Sequence, residues 1–425
     1  MRLRQDRSTR WQQVPDGVRD LPPPEAERRS AMATQLSEQF ARWGYREVVT
    51  PTLEYLDTIL RGAGPGIQDQ LVKIVDGADL LALRPEMTVP IARLAATRLL
   101  RGASGPLRLS YVAPVFRRQE PGRGRLREFT QAGVELLGEP RLDGDAEVIA
   151  LAVASLRLAR VPGATVHVGH LGFLGDLLAG LSEDQQADVR ARLYRREFVG
   201  IEDVVPGRPL ARLLPALPEL HGPDGLAKAR DFATSPASRA ALEELEEVME
   251  CLGAYGVADA VEVDLSVIRD FSYYTGIVFE AYGQGAGYPL LGGGRYDTLL
   301  ARFDADCPAT GFALGLERVL AAAPQEPALP CDLLIVTDAH RRAPALSLAS
   351  ELRRAGVRVL VTGALDWPTA LRWARVEGIV RVARVEGEDI WLYDARAGRE
   401  WSTGRRQLVA ALTPQHEVKV VAWSH

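Results

Sequence analysis

Apolar residues Met32, Leu36, Phe40 and Trp43 recur at steps of three and four, which places them on one face of a helix predicted over Glu25–Trp43. Prolines in DLPPPEAE lead into it, and Gly44 closes it. YREVVTPTLEY then reads as a strand whose Pro51 marks an edge or an exit. Residues Gly62–Gln70 read as a loop, and LVKIVD and DLLALRP as the arms of a hairpin. Helical spacing returns from Thr88 to Leu100. RLSYVAPVFRR and REFTQAGVELLG follow as two further strands around a loop that holds Gly122, Arg123, Gly124 and Arg125. Asp143 to Leu158 is a helix with Ala146, Ile149, Ala150, Val153 and Leu156 on its apolar stripe, and TVHVGHLGFL alternates like a strand.

From about Leu171 to Ala260 the pattern is helical and broken by Pro and Gly, as expected for an inserted helical module. Strand alternation resumes in VEVDLSVIRDFSYYTGIVFEAY. LLGGGRYDTLLARF places three glycines ahead of a predicted helix, and CPATGFALGLERVLAAA passes from strand to helix. Beyond the proline-bearing AAAPQEPALP, strands CDLLIVTD and VRVLVTG alternate with helices ALSLASELRRAG and TALRWARVEG, and VRVARVEG and EDIWLYD end the series as strands. The expected division is a core over 1–325, with the insertion at about 171–260, and a small α/β domain over 331–425.

A chain of 425 residues exceeds one ordinary core, and 47% hydrophobic with 25% charged residues is a globular balance. The net charge of -5 does not point to a general polyanion binder. Cys251, Cys307 and Cys331 lie far apart, with no spacing that suits a disulfide framework or a zinc site, so no metal is expected. No apolar run approaches the ~20 residues of a membrane span, and MRLRQDRSTRWQQ is polar, which makes the cytoplasm the expected location and gives no membrane partner.

Candidate chemistry begins at the FRRQEPGRGRLREFTQ segment. Arg117 and Arg127 on the strands flank an arginine-tipped turn, and planar guanidinium forks suit carboxylate or phosphate oxygens; a solvated basic turn is the plain alternative. GGGRYD lacks the order of a phosphate-binding P-loop, so its glycines are assigned to close backbone packing. In GFALGLER, Arg318 opens a helix where it can project onto a sheet face or into solvent. Arg269, Asp270, Tyr273 and Tyr274 share one short segment with apolar alternation on both sides, which favours a polar pocket. Glu86, just before a helix, is placed to interact with the helix dipole; with Gln131 and Glu135 it would supply acceptors for an ammonium or imidazole group.

Taken in order, VFRRQEPGRGRLREFTQAGVE, GFALGLERVL, LALRPEMT and IRDFSYYTGIVFE resemble the motifs of class II aminoacyl-tRNA synthetases, specifically histidyl-tRNA synthetase. The resemblance implies an α+β fold: a six- or seven-stranded antiparallel sheet flanked by helices, a helical insertion, a small C-terminal α/β domain, and dimerisation. It also implies a histidine pocket of Glu86, Thr88, Arg117, Gln131, Glu135, Arg269, Tyr273 and Tyr274, with Arg117, Arg125 and Arg318 facing the nucleotide side.

Three departures from the synthetase pattern stand out. RPEMT replaces RPEGT, setting Met87 where a glycine would let ligand and backbone come close, so crowding is expected. Gln119 in FRRQ stands where synthetases carry the glutamate that receives adenine. Residues 331–425 hold 14 Arg and Lys against 11 Asp and Glu, with no basic stripe for gripping tRNA.

With PDGVRDLPPPEA and GGGRYDTLLARF, these features resemble the synthetase paralogue that serves as the regulatory subunit of ATP phosphoribosyltransferase in the first step of histidine biosynthesis. That family implies a subunit without catalytic residues or cofactor, needed by a short-form catalytic subunit and for feedback by L-histidine, and assembled as a homodimer within a hetero-octamer. No D-x-x-x-[ST]-G-x-T loop for phosphoribosyl pyrophosphate is present. A working histidyl-tRNA synthetase is the alternative.

Overall fold

The computed structural model describes residues 11–118, 126–178, 180–205, 210–268, 273–325, 331–387 and 389–413. Two compact units result: a larger one over Arg28–Pro324 that also takes in the stretch up to Leu21, and a smaller one that follows Gln325 and takes in Pro22–Glu27.

Helix α1 (Pro23–Arg42) buries Leu36 and Phe40, the positions picked out by its apolar spacing. The YREVVTPTLEY strand divides in two. β1 (Arg46–Glu47) and β2 (Leu53–Tyr55) join different sheets, with Pro51 in the extended passage between them. The expected loop over 62–70 is instead mostly helical: α2 (Leu56–Ala63) buries Leu56, Ile59 and Ala63 and runs into a 3-10 turn at Pro65–Gln70. Gly62 permits this, because a Cβ there would collide with Val89. β3 (Lys73–Asp76) and β4 (Asp79–Leu83) form the predicted hairpin, which pairs with β2 in a separate three-stranded sheet. Helix α3 (Thr88–Leu94) continues into a wider π turn at Ala95–Leu99.

β5 (Leu107–Phe116) and β6 (Glu128–Leu137) pair antiparallel along their whole length. They precede α4 (Asp143–Leu158) and β7 (Thr165–His170). The chain is then helical through α5 (Leu171–Leu178), α6 (Glu183–Tyr194), α7 (Leu210–Ala216), α8 (Pro223–Arg230) and α9 (Pro236–Ala254). β8 (Val261–Val263), β9 (Ile277–Tyr282), β10 (Leu291–Arg295), β11 (Ala309–Gly315) and α10 (Leu316–Ala322) complete the unit. The main sheet has the order β1-β5-β6-β11-β10-β9-β7-β8. It is antiparallel from β5 to β7, and the short edge strands β1 and β8 pair in parallel, which raises the strand number above the expected six or seven.

The three glycines of GGGRYD lie inside β10 and not ahead of a helix. Their packing role is literal: a Cβ on Gly293 would sit 2.7 Å from Phe279 and Phe312 side-chain atoms, and Gly294 has φ +151°. Behind the sheet, α1, α4 and α9 cover Val134, Leu136, Phe279, Phe312 and Leu314 in one continuous core, with Phe40 edge-on to Phe312 at 6.0 Å between ring centroids. Arg295, at the end of β10, is fully buried and donates to both Asp145 oxygens on α4 at 3.0 and 2.8 Å.

The smaller unit has β12 (Leu333–Val336), α11 (Arg342–Arg354), β13 (Val359–Thr362), α12 (Trp367–Glu377), β14 (Arg381–Glu386) and β15 (Asp389–Asp394), as the sequence pattern leads one to expect. It adds β16 (Arg399–Gly404) and α13 (Arg405–Leu412). Its sheet order is β13-β12-β14-β15-β16, parallel over the first three strands and antiparallel over the last three.

Candidate ligand-binding site

A strand turns alternate residues to opposite faces, so the packing of Val134 and Leu136 against the helices obliges Gln131, Gly133 and Glu135 to face the other way. Register extends this front face sideways: Gly311, Ala313 and Gly315 of β11 lie opposite Glu135, Gly133 and Gln131, Gly292 lies opposite Ala313, and Glu280 lies opposite Gly292. Small residues at the centre of the sheet leave a floor, and over it opens a cavity of about 790 Å³. Gly311 is required there, since a Cβ would strike the Glu135 carboxylate.

Glu135 is the chemical centre of this floor. Its carboxyl accepts from the Thr88 hydroxyl at 2.8 Å, from Tyr111 at 3.3 Å and from the Tyr296 phenol. Burial nonetheless dominates and pushes its pKa up to about 8, against the pull of the Tyr296 and Thr88 hydrogen bonds. Glu86 is also buried, and desolvation raises it too, opposed by backbone N–H groups and Arg117. Its two oxygens accept from the Thr88 N–H at 2.6 Å and the Val89 N–H at 2.8 Å, so this one carboxylate closes the start of α3 and borders the cavity. Tyr273, Tyr274 and Tyr296 form an aromatic wall with centroids 4.8, 5.7 and 6.4 Å apart. Gln131 is buried and lines the cavity, and its side-chain oxygen has no hydrogen-bond partner among the described residues.

Two guanidiniums stand at the mouth. Arg117 donates from Nε to the Pro85 carbonyl at 2.8 Å and lies 5.5 Å from the Phe129 ring centre. Arg318 donates to the Pro289 carbonyl at 2.8 Å and lies 5.3 Å from the Tyr288 ring centre. Each is thus held by a carbonyl and an aromatic face, and each borders the cavity.

Eight of the ten sequence-predicted positions therefore converge on one cleft: Glu86, Thr88, Arg117, Gln131, Glu135, Tyr273, Tyr274 and Arg318. Arg269 and Arg125 lie outside the described residues, as do Gln119 and Asp270. The crowding expected from Met87 does not occur. Its side chain is 1% exposed and packs in the core with Ile59, Val89 and Ile91, away from the cavity. Sequence reasoning missed Tyr296 and Tyr111, which reach Glu135 from the residue just after β10 and from β5; the tyrosine of GGGRYD was the available signal, but it is the pairing of β10 with β11, continued by the Tyr296 N–H to the Ala309 carbonyl, that points it inward. It also missed Arg196, Ser266 and Glu280, which line the far end.

An antiparallel sheet carrying this cleft on its front face and helices behind is the histidyl-tRNA synthetase fold, and the family profile described as Histidyl-tRNA synthetase matches residues 17–319. The structure of a histidyl-tRNA synthetase from Nostoc sp. superposes with a TM-score of 0.81 at 20% identity, covering 94% of this chain and 98% of that one, a likeness of fold. Within that fold the chain belongs to the family of ATP phosphoribosyltransferase regulatory subunits. The relative of that name from Moorella thermoacetica is 44% identical over 363 residues, 83% of this chain and 92% of the relative, and the one from Geobacillus kaustophilus is 41% identical over 82% and 90%. A solved structure described as an ATP phosphoribosyltransferase regulatory subunit/histidyl-tRNA synthetase from Bacillus halodurans is similar with a TM-score of 0.76 at 33% identity, over 88% of this chain and 99% of that one.

Proposed function

We propose that this chain is the non-catalytic regulatory subunit of an ATP phosphoribosyltransferase, that it supports a short-form catalytic subunit, and that its cleft binds L-histidine as the feedback signal. The observation that carries the ligand assignment is the pairing, in one cleft, of an acceptor without a partner, the Gln131 oxygen, with a carboxyl group ringed by hydroxyls, Glu135. An α-ammonium suits the first and an imidazole nitrogen suits the second, while Arg117 at the mouth suits a carboxylate. Glu86 and Thr88 complete the polar wall, and Tyr273 and Tyr274 give the imidazole an aromatic face.

A homodimer within a hetero-octamer is part of the same reading. The three-stranded sheet supports it, because Leu53, Tyr55 and Ile74 share one face and are 44, 58 and 38% exposed, an apolar surface that a second copy would cover. Regulation then amounts to a coupling free energy between histidine and the partner's substrates, for which ~1–3 kcal/mol suffices.

The test is reconstitution. The purified chain should take up L-histidine saturably, copurify with a short phosphoribosyltransferase, restore its activity and make that activity sensitive to histidine. Robust histidine-dependent exchange of pyrophosphate into ATP by this chain alone would overturn the reading in favour of a synthetase.

A further inference from the structure

At the far end of the cleft the lining comes from the end of α6 and the turn after it, and one side chain ties that turn to the sheet. Arg196 follows the last turn of α6 and has a left-handed backbone with φ +58°. Its N–H donates to the Leu193 carbonyl at 3.0 Å, and the next N–H, of Glu197, reaches back to Arg192 at 2.9 Å. A helix closed in this way ordinarily carries glycine at the left-handed position. An arginine there accepts a backbone cost, and the reason lies in where its side chain goes.

The guanidinium crosses to the sheet. It donates to Glu280 on β9 at 2.6 Å, to the Ser266 hydroxyl at 2.8 Å and to Asp264 at 3.4 Å. Glu280 also accepts from the Tyr282 phenol at 2.8 Å, and Asp264 from the Ser266 N–H at 2.9 Å, so the receiving groups are held in place without the arginine. The tie is lopsided: the Glu280 side chain is 9% exposed and that of Arg196 is 40% exposed. The arginine can therefore swing into water while its partners stay fixed. Leu193, Arg195, Arg196 and Glu197 all line the cavity, so the segment that would move is the wall of the cleft itself. Both helices are anchored in the main core, α9 through Leu242, Leu245, Val248 and Leu252 and α6 through Val189 and Leu193, so the part free to follow the arginine is the turn Arg195–Glu197 that comes after α6.

We propose that Arg196 is a latch that holds the turn after α6, Arg195–Glu197, over the cleft, and that its release opens the route by which ligand enters and leaves. The role of the latch in histidine exchange rests on the assignment of the cleft above; the latch itself does not.

The experiment compares the full chain with Arg196→Met, Arg196→Lys, Glu280→Gln and the Met/Gln double variant by hydrogen exchange, followed by histidine dissociation in stopped flow. Breaking a partly buried ion pair should speed amide exchange at 195–197 by about five- to tenfold in the Met and Gln variants. The double variant should be no faster than either single, and Arg196→Lys, which keeps a charge for Glu280, should fall between. Exchange in α9 should not change. Histidine should leave faster by a similar factor. Unchanged exchange at 195–197, or an equal rise in α9, overturns the latch, the latter by reducing Arg196 to a general contributor to stability. If the unaltered chain binds no histidine, the ligand assignment falls, and the exchange pattern alone decides for or against the latch.

Discussion

Glu135→Gln isolates the buried carboxyl at the centre of the cleft. A buried carboxyl whose pKa rises to about 8 from an ordinary 4.5 binds its proton more tightly in the folded chain than in the unfolded one. Its contribution is therefore fully present below pH 4.5 and is lost as pH rises through 8. At about 1.4 kcal/mol per pH unit across that window, ionising Glu135 in place costs on the order of 5 kcal/mol, an upper limit because water in the open cleft screens the charge. Glutamine keeps the shape of the neutral acid and cannot ionise. In urea melts at pH 5, 6, 7 and 8, the unaltered protein should lose stability relative to Glu135→Gln, with a slope approaching 1.4 kcal/mol per unit. The two should lie within about 1 kcal/mol of each other at pH 5, where the acid is protonated in the folded chain although most unfolded chains have already ionised it. Parallel curves from pH 5 to 8 would refute the reasoning, since no other difference between the variants titrates in that interval.

Further outcomes follow from the same geometry. Gly311→Ala should cost about 2–3 kcal/mol in thermal or urea unfolding, because the new methyl meets both the Glu135 carboxylate and the Val134 carbonyl; an unchanged midpoint would mean the floor is looser than described. Gln131→Leu should leave stability within about 1 kcal/mol but weaken histidine about tenfold by calorimetry, and equal affinity would remove Gln131 from the site. Asp145→Ala should cost about 3–5 kcal/mol, because it leaves the fully buried Arg295 with only Asp297 and the Pro140 carbonyl; a loss below about 1 kcal/mol would contradict that role.

Where period and burial agree, the elements could be read directly. β5 and β6 are two apolar runs of strand length on either side of a glycine-bearing segment, and α1 and α4 carry apolar stripes that land in the core. α2 escaped because Gly62, the glycines that follow it and the short length look like a loop, although Leu56, Ile59 and Ala63 already had helical spacing. β10 escaped because Leu-Gly-Gly-Gly-Arg has low intrinsic strand preference; what makes it a strand is the close approach of β9 and β11, a tertiary fact. β16, with the sequence REWSTG, is largely exposed and has no apolar alternation to betray it. The same division runs through the site. Residues flanked by recognisable motifs could be named in advance, whereas Tyr296, Tyr111 and Arg196 depend on register or on a left-handed turn that no linear pattern announces.

Glu86 shows why the ligand assignment is best tested elsewhere in the cleft. Its carboxylate receives the first two free N–H groups at the start of α3 and is buried, so removing it would leave those donors unpaired and disturb the helix whether or not histidine binds. Gln131 has no such structural duty for its oxygen. The energy scale of the cleft points the same way. Feedback needs a coupling of ~1–3 kcal/mol, and an ion pair such as Arg196–Glu280, with one partner open to water, is worth about 1 kcal/mol after screening. A tie of that size can be made or broken by a ligand's differential contacts, whereas the buried Arg295–Asp145 pair at the end of the same sheet is too costly to open and serves as the fixed frame. A sensing cleft needs both: a floor that does not yield and a roof that yields for about the free energy a small ligand can supply.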